Sequence, residues 1–502
     1  MTDPAAKSAL VLGLGDSGLA MARFLLSRGA TVRVADTRAD APRLTQLRTE
    51  LPQVDFVAGD LSLTLLDGVE LLALSPGLSP TLSAAAPLVK VAHKRKIEVV
   101  GEIELFAREL ARLKVDSGYA PQIVGVTGTN GKTTTCRLAG LMIEAAGKRV
   151  QVAGNIGPVA LDALRARVAD NDLPDVWVLE LSSFQLATTR SLVCDAAAVL
   201  NITDDHLDWH DTLEAYAAAK ARIFSPKTVR ILNRDDARVA AMTRKDSAIA
   251  TFGEQAPESG NAYGIVIDQG VAWLAWAEDP SAPARRRKIE DPLSLSQDPP
   301  SVRIHRLMPV DALALRGRHN AMNALAALAL ARAIDCPLAP MMHALSRYVG
   351  EPHRLQRIAT IDGVEYYNDS KGTNVGATVA ALAGLGAEGK KLVLIAGGDG
   401  KGQNFGPLAA PVERHARATV VIGRDAAAIR SALEHGAPSV PVVDADTLEQ
   451  AVDIASAHAR AGDAVLLSPA CASFDMFRNY IHRGEVFAEA VRELVAETGQ
   501  PS

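Results

Sequence analysis

From Ser8 onward, short runs of Val, Leu, Ile and Ala alternate with longer stretches in which apolar positions recur at helical spacing. A strand buried on both faces needs continuous apolar character, and regular strand–helix alternation argues a mostly parallel sheet covered by helices. In the first segment SALVLGL leads into AMARFLLSRG and then TVRVAD, a βαβ unit, and ELLALSPG adds a further strand. The second segment strings together QIVGVTG, RVQVAG, DVWVLEL and DAAAVLNI, with helices predicted from Lys132 to Ala146 and from Pro158. GVEYYND, KLVLIAGG, ATVVIG, VPVVD and DAVLLSP continue the rhythm in the third. It lapses at DSGYAP, a cluster of turn formers, and again over about 254–306, where Pro and Ser surround a strand-like GIVIDQGVAWLAW. The expected fold class is α/β in three domains. A Rossmann-like domain spans 1–118, a central mostly parallel domain 119–350 with the insertion inside it, and a second Rossmann-like domain 351–502.

Composition refines this only in places. A chain of 502 residues is too long for one ordinary core, and with 4 % aromatic residues those cores must be built from Ala, Leu, Val and Ile. A net charge of −5 disfavours general nucleic-acid binding, and the run Arg285 to Lys288 reads as a solvated loop. Cys136, Cys194, Cys336 and Cys471 show no CxxC spacing, the usage of reduced thiols in a cytoplasmic protein. No apolar run approaches the ~20 residues of a membrane span, and no apolar leader precedes the first strand. A cytoplasmic, monomeric protein with no nucleic-acid partner and no membrane insertion is expected.

The densest chemistry lies in QIVGVTGTNGKTTT. Glycines let backbone N–H groups curl around an anion, and the helix they open adds its positive end. Gly128, Thr129, Asn130, Gly131 and Thr134 would line this P-loop-type turn, with Lys132 on the outer phosphates and the Thr133 hydroxyl on Mg²⁺. The first glycine of GxxxxGK[ST] falls on Val126, between Gly125 and Gly128, so the loop departs from the general pattern. Glu180 ends a strand and can face a metal at the phosphates. His206, in an acid-rich loop, is either a metal ligand or an ordinary loop histidine. Lys220 lies in a helical stretch where a lysine is normally solvated; a desolvated, neutral amine beside Mg²⁺ can instead take up CO₂ as a carbamate.

Near the N-terminus, Gly13-Leu14-Gly15-Asp16-Ser17-Gly18 with Asp36 downstream matches GxGxxG. A nicotinamide site, another diphosphate site and a bare turn all remain open there. Lys371 and Lys401, in strand-end loops of the third segment, suit an anionic ligand.

Together, GTNGKTTT, AGNIG, LELSSFQL, the DDHLD loop, GRHNAMNA, PHR, NDSKGTNVGAT, GGDGKG and LSPACASFDMF resemble the Mur ligases, ATP-dependent amino-acid ligases of peptidoglycan precursor synthesis. LSSFQL, DSKGTN and SPACASFD point to the members that add D-glutamate. The resemblance implies that ATP phosphorylates the alanyl carboxylate of UDP-N-acetylmuramoyl-L-alanine and that the amine of D-glutamate attacks the acyl phosphate. Thr133 and Glu180 would bind one Mg²⁺, and His206 with carbamylated Lys220 a second. Asn320, Asn323, Arg354 and Asp369 would serve the adenine nucleotide. Gly15, Asp16, Ser17, Asp36, Thr37, Arg38 and Gly77 would hold the uridine diphosphate, with Asn155, Ser182 and Gln185 nearer the muramoyl-alanyl end. Lys371, Thr373, Lys401, Ser473 and Phe474 would receive D-glutamate, and the domains would close on binding. The alternatives are another Mur or folylpolyglutamate-type ligase, a regulatory nucleotide-binding protein, and a nicotinamide-dependent oxidoreductase.

Overall fold

The computed structural model describes residues 8–278, 302–315, 317–348, 350–386 and 389–498. Three sheets form, one in each predicted segment. The first consists of β1 (Ser8–Leu12), β2 (Thr31–Asp36), β3 (Asp55–Ala58), β4 (Leu71–Leu74) and β5 (Glu98–Val100), all parallel in the order β3-β2-β1-β4-β5. Strand order reverses between β1 and β4, so the loops after these two strands face one crevice at the carboxyl edge, the usual ligand position in open α/β sheets.

The central sheet contains β6 (Gln122–Thr127), β7 (Val150–Gly154), β8 (Val176–Glu180), β9 (Ala196–Val199), β10 (Val229–Asn233), β11 (Ile249–Phe252), β12 (Ala262–Asp268), β13 (Val271–Glu278) and β14 (Arg303–Pro309). Its order is β14-β13-β12-β11-β10-β9-β6-β8-β7. The Gly-rich loop leaving β6 is thereby flanked by the ends of β8 and β9. The strand-like run in the predicted insertion is two strands, β12 and β13, turning at Gln269 and Gly270, both with positive φ. The described part of the insertion continues the central sheet in antiparallel fashion through β14. The Arg285 to Lys288 run lies outside the described residues.

The third sheet comprises β15 (Gln356–Ile361), β16 (Val364–Asn368), β17 (Leu392–Gly397), β18 (Ala416–Ile422), β19 (Val442–Asp444) and β20 (Ala464–Leu467), in the order β15-β16-β20-β17-β18-β19. Only β15 is antiparallel to its neighbour. The interiors of β17 and β20 are wholly apolar, LVLIAG and AVLL, as strands with helices on both faces require.

The described chain divides into two compact units: Met1–Ile202, Leu207–Val310 and Met322–Leu345 in the first, Thr203–His206, Asp311–Ala321 and Ser346–Ser502 in the second. Within the first unit, the DSGYAP turn separates two sheets that nonetheless share a core. The helix Glu102–Ser117 ends on Gly118 at φ 74° and buries Ile103, Phe106 and Leu110 among residues of both sheets. Phe106 meets the fully buried Trp177 of β8 edge to face, centroids 5.0 Å apart. Polar groups reinforce this seam. Arg23 of the first sheet's opening helix donates to Asp162 at 2.8 Å, and Glu104 accepts from the backbone N–H groups of Arg190 and Ser191.

Candidate active site

The loop between β6 and the helix Lys132–Ala145 is shaped by two glycines at positive φ, Gly128 at 151° and Gly131 at 83°. A Cβ on Gly128 would lie 2.9 Å from Leu200 Cβ, and one on Gly131 would lie 2.3 Å from Asn323 Oδ1, so neither position tolerates a side chain. Asn201, at the end of β9, braces the loop: its carbonyl accepts from Thr129 N and its side-chain Oδ1 from Asn130 N. Lys132 Nζ lies 2.9 Å from Gly128 O and 2.8 Å from Thr129 O. Lys220 Nζ donates to the same Gly128 carbonyl at 2.9 Å and sits 4.4 Å from the Tyr216 ring centroid. Lys220 is 1 % exposed, so the expectation of a solvated helical lysine gives way to a buried one. The helix Leu213–Ala221 carries Tyr216 one turn before it, and the Tyr216 hydroxyl reaches Thr129 Oγ1 at 3.2 Å.

Thr133 Oγ1 donates to Glu180 Oε2 at 2.8 Å, and Asn155 Nδ2 donates to Glu180 Oε1 at 2.8 Å. Three sequence-predicted residues thus meet on one carboxylate at the end of β8. A hydroxyl and a carboxylate at a helix N-terminus are hard oxygen donors of the kind Mg²⁺ takes, so this donor set fits a Mg²⁺–phosphate site. Ser182 and Gln185 meet each other in a reciprocal capping box opening the helix Ser183–Ala187.

In the first sheet, Ser75 Oγ donates to Gly13 O at 2.8 Å, tying together the two crevice loops. Asp36 is buried beneath them. Its Oδ2 accepts from Leu14 N at 2.7 Å, and Arg38 grips both oxygens through Nε and Nη2 at 2.9 Å. Burial pushes this carboxyl upward, but the Arg38 hydrogen bonds and the Leu14 and Arg38 amides outweigh it and hold it at about 2 against an ordinary 3.8. Both carboxylate oxygens are thus engaged in shaping the loop, which weakens the case for a nicotinamide ribose there. Asp16 pairs with Arg43 at 2.5 Å, and Gly15 precedes the helix Asp16–Ser27.

Because its native pKa is below the unfolded one, Asp36 stabilises fully above about pH 4 and progressively less as pH falls through about 2. Asp36→Asn should cost about 2 kcal/mol at pH 7. Urea midpoints of wild type and variant should converge on acidification; a gap that widens would contradict the assignment.

In the second unit, the loops after β16, β20 and β17 lie side by side because those strands are neighbours. Ala470 N donates to Gly372 O at 2.9 Å, while Asp399 and Ala472 exchange backbone bonds at 3.0 and 2.8 Å. The loops bearing Lys371 and Thr373, Lys401, and Ser473 and Phe474 are so brought together. Lys371 Nζ lies 3.1 Å from Tyr480 Oη and 4.6 Å from its ring centroid. Ser473 is buried, Phe474 exposed, and Lys401 takes φ 50°. Arg483 is fully buried and clasps two of these loops, donating to Ser370 Oγ and the carbonyls of Ser370, Cys471 and Ala472. Sequence reasoning singled out neither Tyr480 nor Arg483: they come from the helix Tyr480–Thr498, about 110 positions after Ser370, and no local pattern marks them.

Asp369 accepts from Ser468 Oγ at 2.8 Å and from Leu355 N at 3.3 Å. Burial pushes its carboxyl up to about 7 despite those bonds and the nearby Arg354 and Arg483 charges. His319 is held down at about 4, first by burial and then by Arg354. In the same unit His206 stands at φ 55° beside Asp205, whose Oδ2 accepts from Asn374 Nδ2 at 3.3 Å. Asn320 and Asn323, three apart on the helix Arg318–Ala333, are both buried.

Residues 7–101 match the Mur ligase MurD-like N-terminal domain, 126–331 the Mur ligase middle domain, and 353–471 the Mur ligase glutamate ligase domain. A protein of Ralstonia nicotianae named UDP-N-acetylmuramoylalanine--D-glutamate ligase is 57 % identical over 501 residues, 99 % of either chain. A protein of the same name from Cupriavidus pinatubonensis is 56 % identical over 498 residues, 98 % of this chain and 97 % of that one. Among solved structures, MurF ligase of Thermotoga maritima in complex with ADP is similar at TM-score 0.58 and 15 % identity, covering 97 % of this chain and 95 % of that one. UDP-N-acetylmuramate-alanine ligase MurC of the same organism gives TM-score 0.56 at 18 % identity, covering 97 % and 100 %; these two likenesses speak to the fold alone. The chain belongs to the Mur ligase family and is similar over nearly its whole length to members named UDP-N-acetylmuramoylalanine--D-glutamate ligase.

Proposed function

We infer that this protein is the ATP-dependent ligase that joins D-glutamate to UDP-N-acetylmuramoyl-L-alanine in peptidoglycan precursor synthesis. The observation that carries the chemistry is the meeting of Thr133, Glu180 and Asn155 beside a Gly-rich loop on whose Gly128 carbonyl two lysines converge. Two lysine side chains beside a Gly-rich loop that opens a helix suit a phosphate group. A carboxylate is a poor electrophile with a poor leaving group, and phosphorylation divides one forbidding step into two. An alanyl carboxylate oxygen attacks the γ-phosphorus and ADP leaves; the amine nitrogen of D-glutamate then attacks the acyl carbon, loses a proton, and phosphate departs as the amide forms.

Lys132 offsets phosphate charge, and Thr133 with Glu180 holds one Mg²⁺, which when bound neutralises charge building on the transferred phosphoryl group. Lys220 as its carbamate and His206 are proposed as further metal ligands, and Asn320, Asn323, Arg354 and Asp369 as nucleotide contacts. Segment 1–118 takes the UDP-sugar, 119–350 the ATP, and 351–502 the amino acid, with Lys371, Thr373, Lys401, Ser473 and Phe474 toward D-glutamate. The protein is proposed to act as a cytoplasmic monomer; no helix among the described residues is long and apolar enough to cross a membrane.

An amino-acid panel with ATP and UDP-N-acetylmuramoyl-L-alanine tests this reading. D-Glutamate alone should give a new amide and stoichiometric ADP. Amide formation with a diamino acid, with L-alanine or with a folate substrate in its place would refute the assignment.

A further inference from the structure

Two residues that the proposed function leaves idle, Trp209 and His210, bridge the first sheet's crevice and the phosphate site. Both lie in the short helix Leu207–His210, just before the helix that carries Lys220. Trp209 is tied to the loop after β4 at both ends: its indole Nε1 donates to Pro76 O at 3.2 Å, and its backbone carbonyl accepts from Ser79 Oγ at 3.0 Å. The Trp209 ring also stacks on Phe184, centroids 4.8 Å apart. His210, buried, places Nε2 2.9 Å from Ser183 Oγ and its ring 5.2 Å from that of Tyr216. Tyr216 in turn lies under Lys220 and touches Thr129 of the Gly-rich loop. A continuous chain of contacts therefore runs from Pro76–Ser79 through Trp209 and His210 to both sides of the phosphate site.

We propose that Trp209 and His210 are positioning residues that couple seating of the UDP-sugar in the first sheet's crevice to the setting of Tyr216 and Lys220 at the phosphate site. This rests on the reading of that crevice as the UDP-sugar site. A ligand that orders the Pro76–Ser79 loop restrains Trp209, and through His210 it narrows the arrangements open to Tyr216. The nucleotide then binds a site whose ordering has already been met, and by linkage the effect is reciprocal.

The test is calorimetric, on the intact chain with a non-hydrolysable ATP analogue and Mg²⁺, with and without saturating UDP-N-acetylmuramoyl-L-alanine. In wild type the UDP-sugar should tighten analogue binding by about 5-fold or more, the lower end of ordinary coupling. Trp209→Phe keeps an aromatic ring for Phe184 but removes the N–H bond to Pro76, and Ser79→Ala removes the bond to the Trp209 carbonyl. Each should bring the coupling below about 2-fold, while the analogue alone binds as in wild type. A merely structural role would lower the melting temperature or weaken both ligands without changing their ratio. Unchanged coupling in both variants, or none in wild type, would overturn the proposal. If wild type binds the analogue and fails to bind the UDP-sugar at all, the crevice reading falls and this inference with it.

Discussion

Lys220→Ala is expected to remove nearly all turnover, a loss of at least about 10²–10³-fold in kcat, the scale seen when one charge-stabilising group leaves an active site. The side chain is 1 % exposed, bonded to Gly128 O at 2.9 Å and backed by the Tyr216 ring. In its neutral form a lysine amine can attack CO₂, forming an N–C bond and losing a proton, and the carbamate product is an anion able to ligate metal. Excess bicarbonate cannot restore the alanine variant, which has no amine to carbamylate. A short carboxylate such as formate, diffusing into the space left behind, should restore part of the rate. Initial rates across a formate series measure this, with melting temperature recorded alongside to separate misfolding from lost chemistry. Unimpaired turnover in Lys220→Ala would refute the carbamate role.

The second large effect is expected at Glu180. Its two oxygens accept from Thr133 Oγ1 and Asn155 Nδ2, and the residue is 1 % exposed. Glu180→Gln keeps the shape and removes the charge, leaving an amide that can satisfy Asn155 or Thr133 through its oxygen but no longer attract a cation. The variant should fold, lose about 10²-fold or more in kcat, and need several-fold more Mg²⁺ for half-maximal rate. A magnesium titration identical to wild type would show that this carboxylate holds no metal.

Much of this is legible in the sequence. Continuous apolar runs marked the parallel strands, and polar residues at their carboxyl ends marked the loops that the sheets bring together. What stayed hidden had physical reasons. The helix around AYAAAKA is so rich in alanine that it has almost no polar face, so the burial of Lys220 leaves no periodic trace. Ser182 and Gln185 carry the S-x-x-Q spacing of a capping box, and the structure pairs them with each other in that role. Within about 254–306 the run that forms β12 and β13 is strand-like in the sequence, but β14, RIHRLMP, is largely polar and exposed, so no apolar run marks it as a strand. Arg483 was invisible since a buried arginine in a long helix resembles a solvated one until the carbonyls it bonds are known.

The central claim is that the alanyl carboxylate is phosphorylated before the amide forms. It is tested most directly with UDP-N-acetylmuramoyl-L-alanine labelled with ¹⁸O in both carboxylate oxygens, incubated with ATP, Mg²⁺ and D-glutamate. The account predicts that each released phosphate carries a single ¹⁸O atom and that one amide appears per phosphate. Unlabelled phosphate, or labelled substrate recovered intact while ATP is consumed, would contradict it.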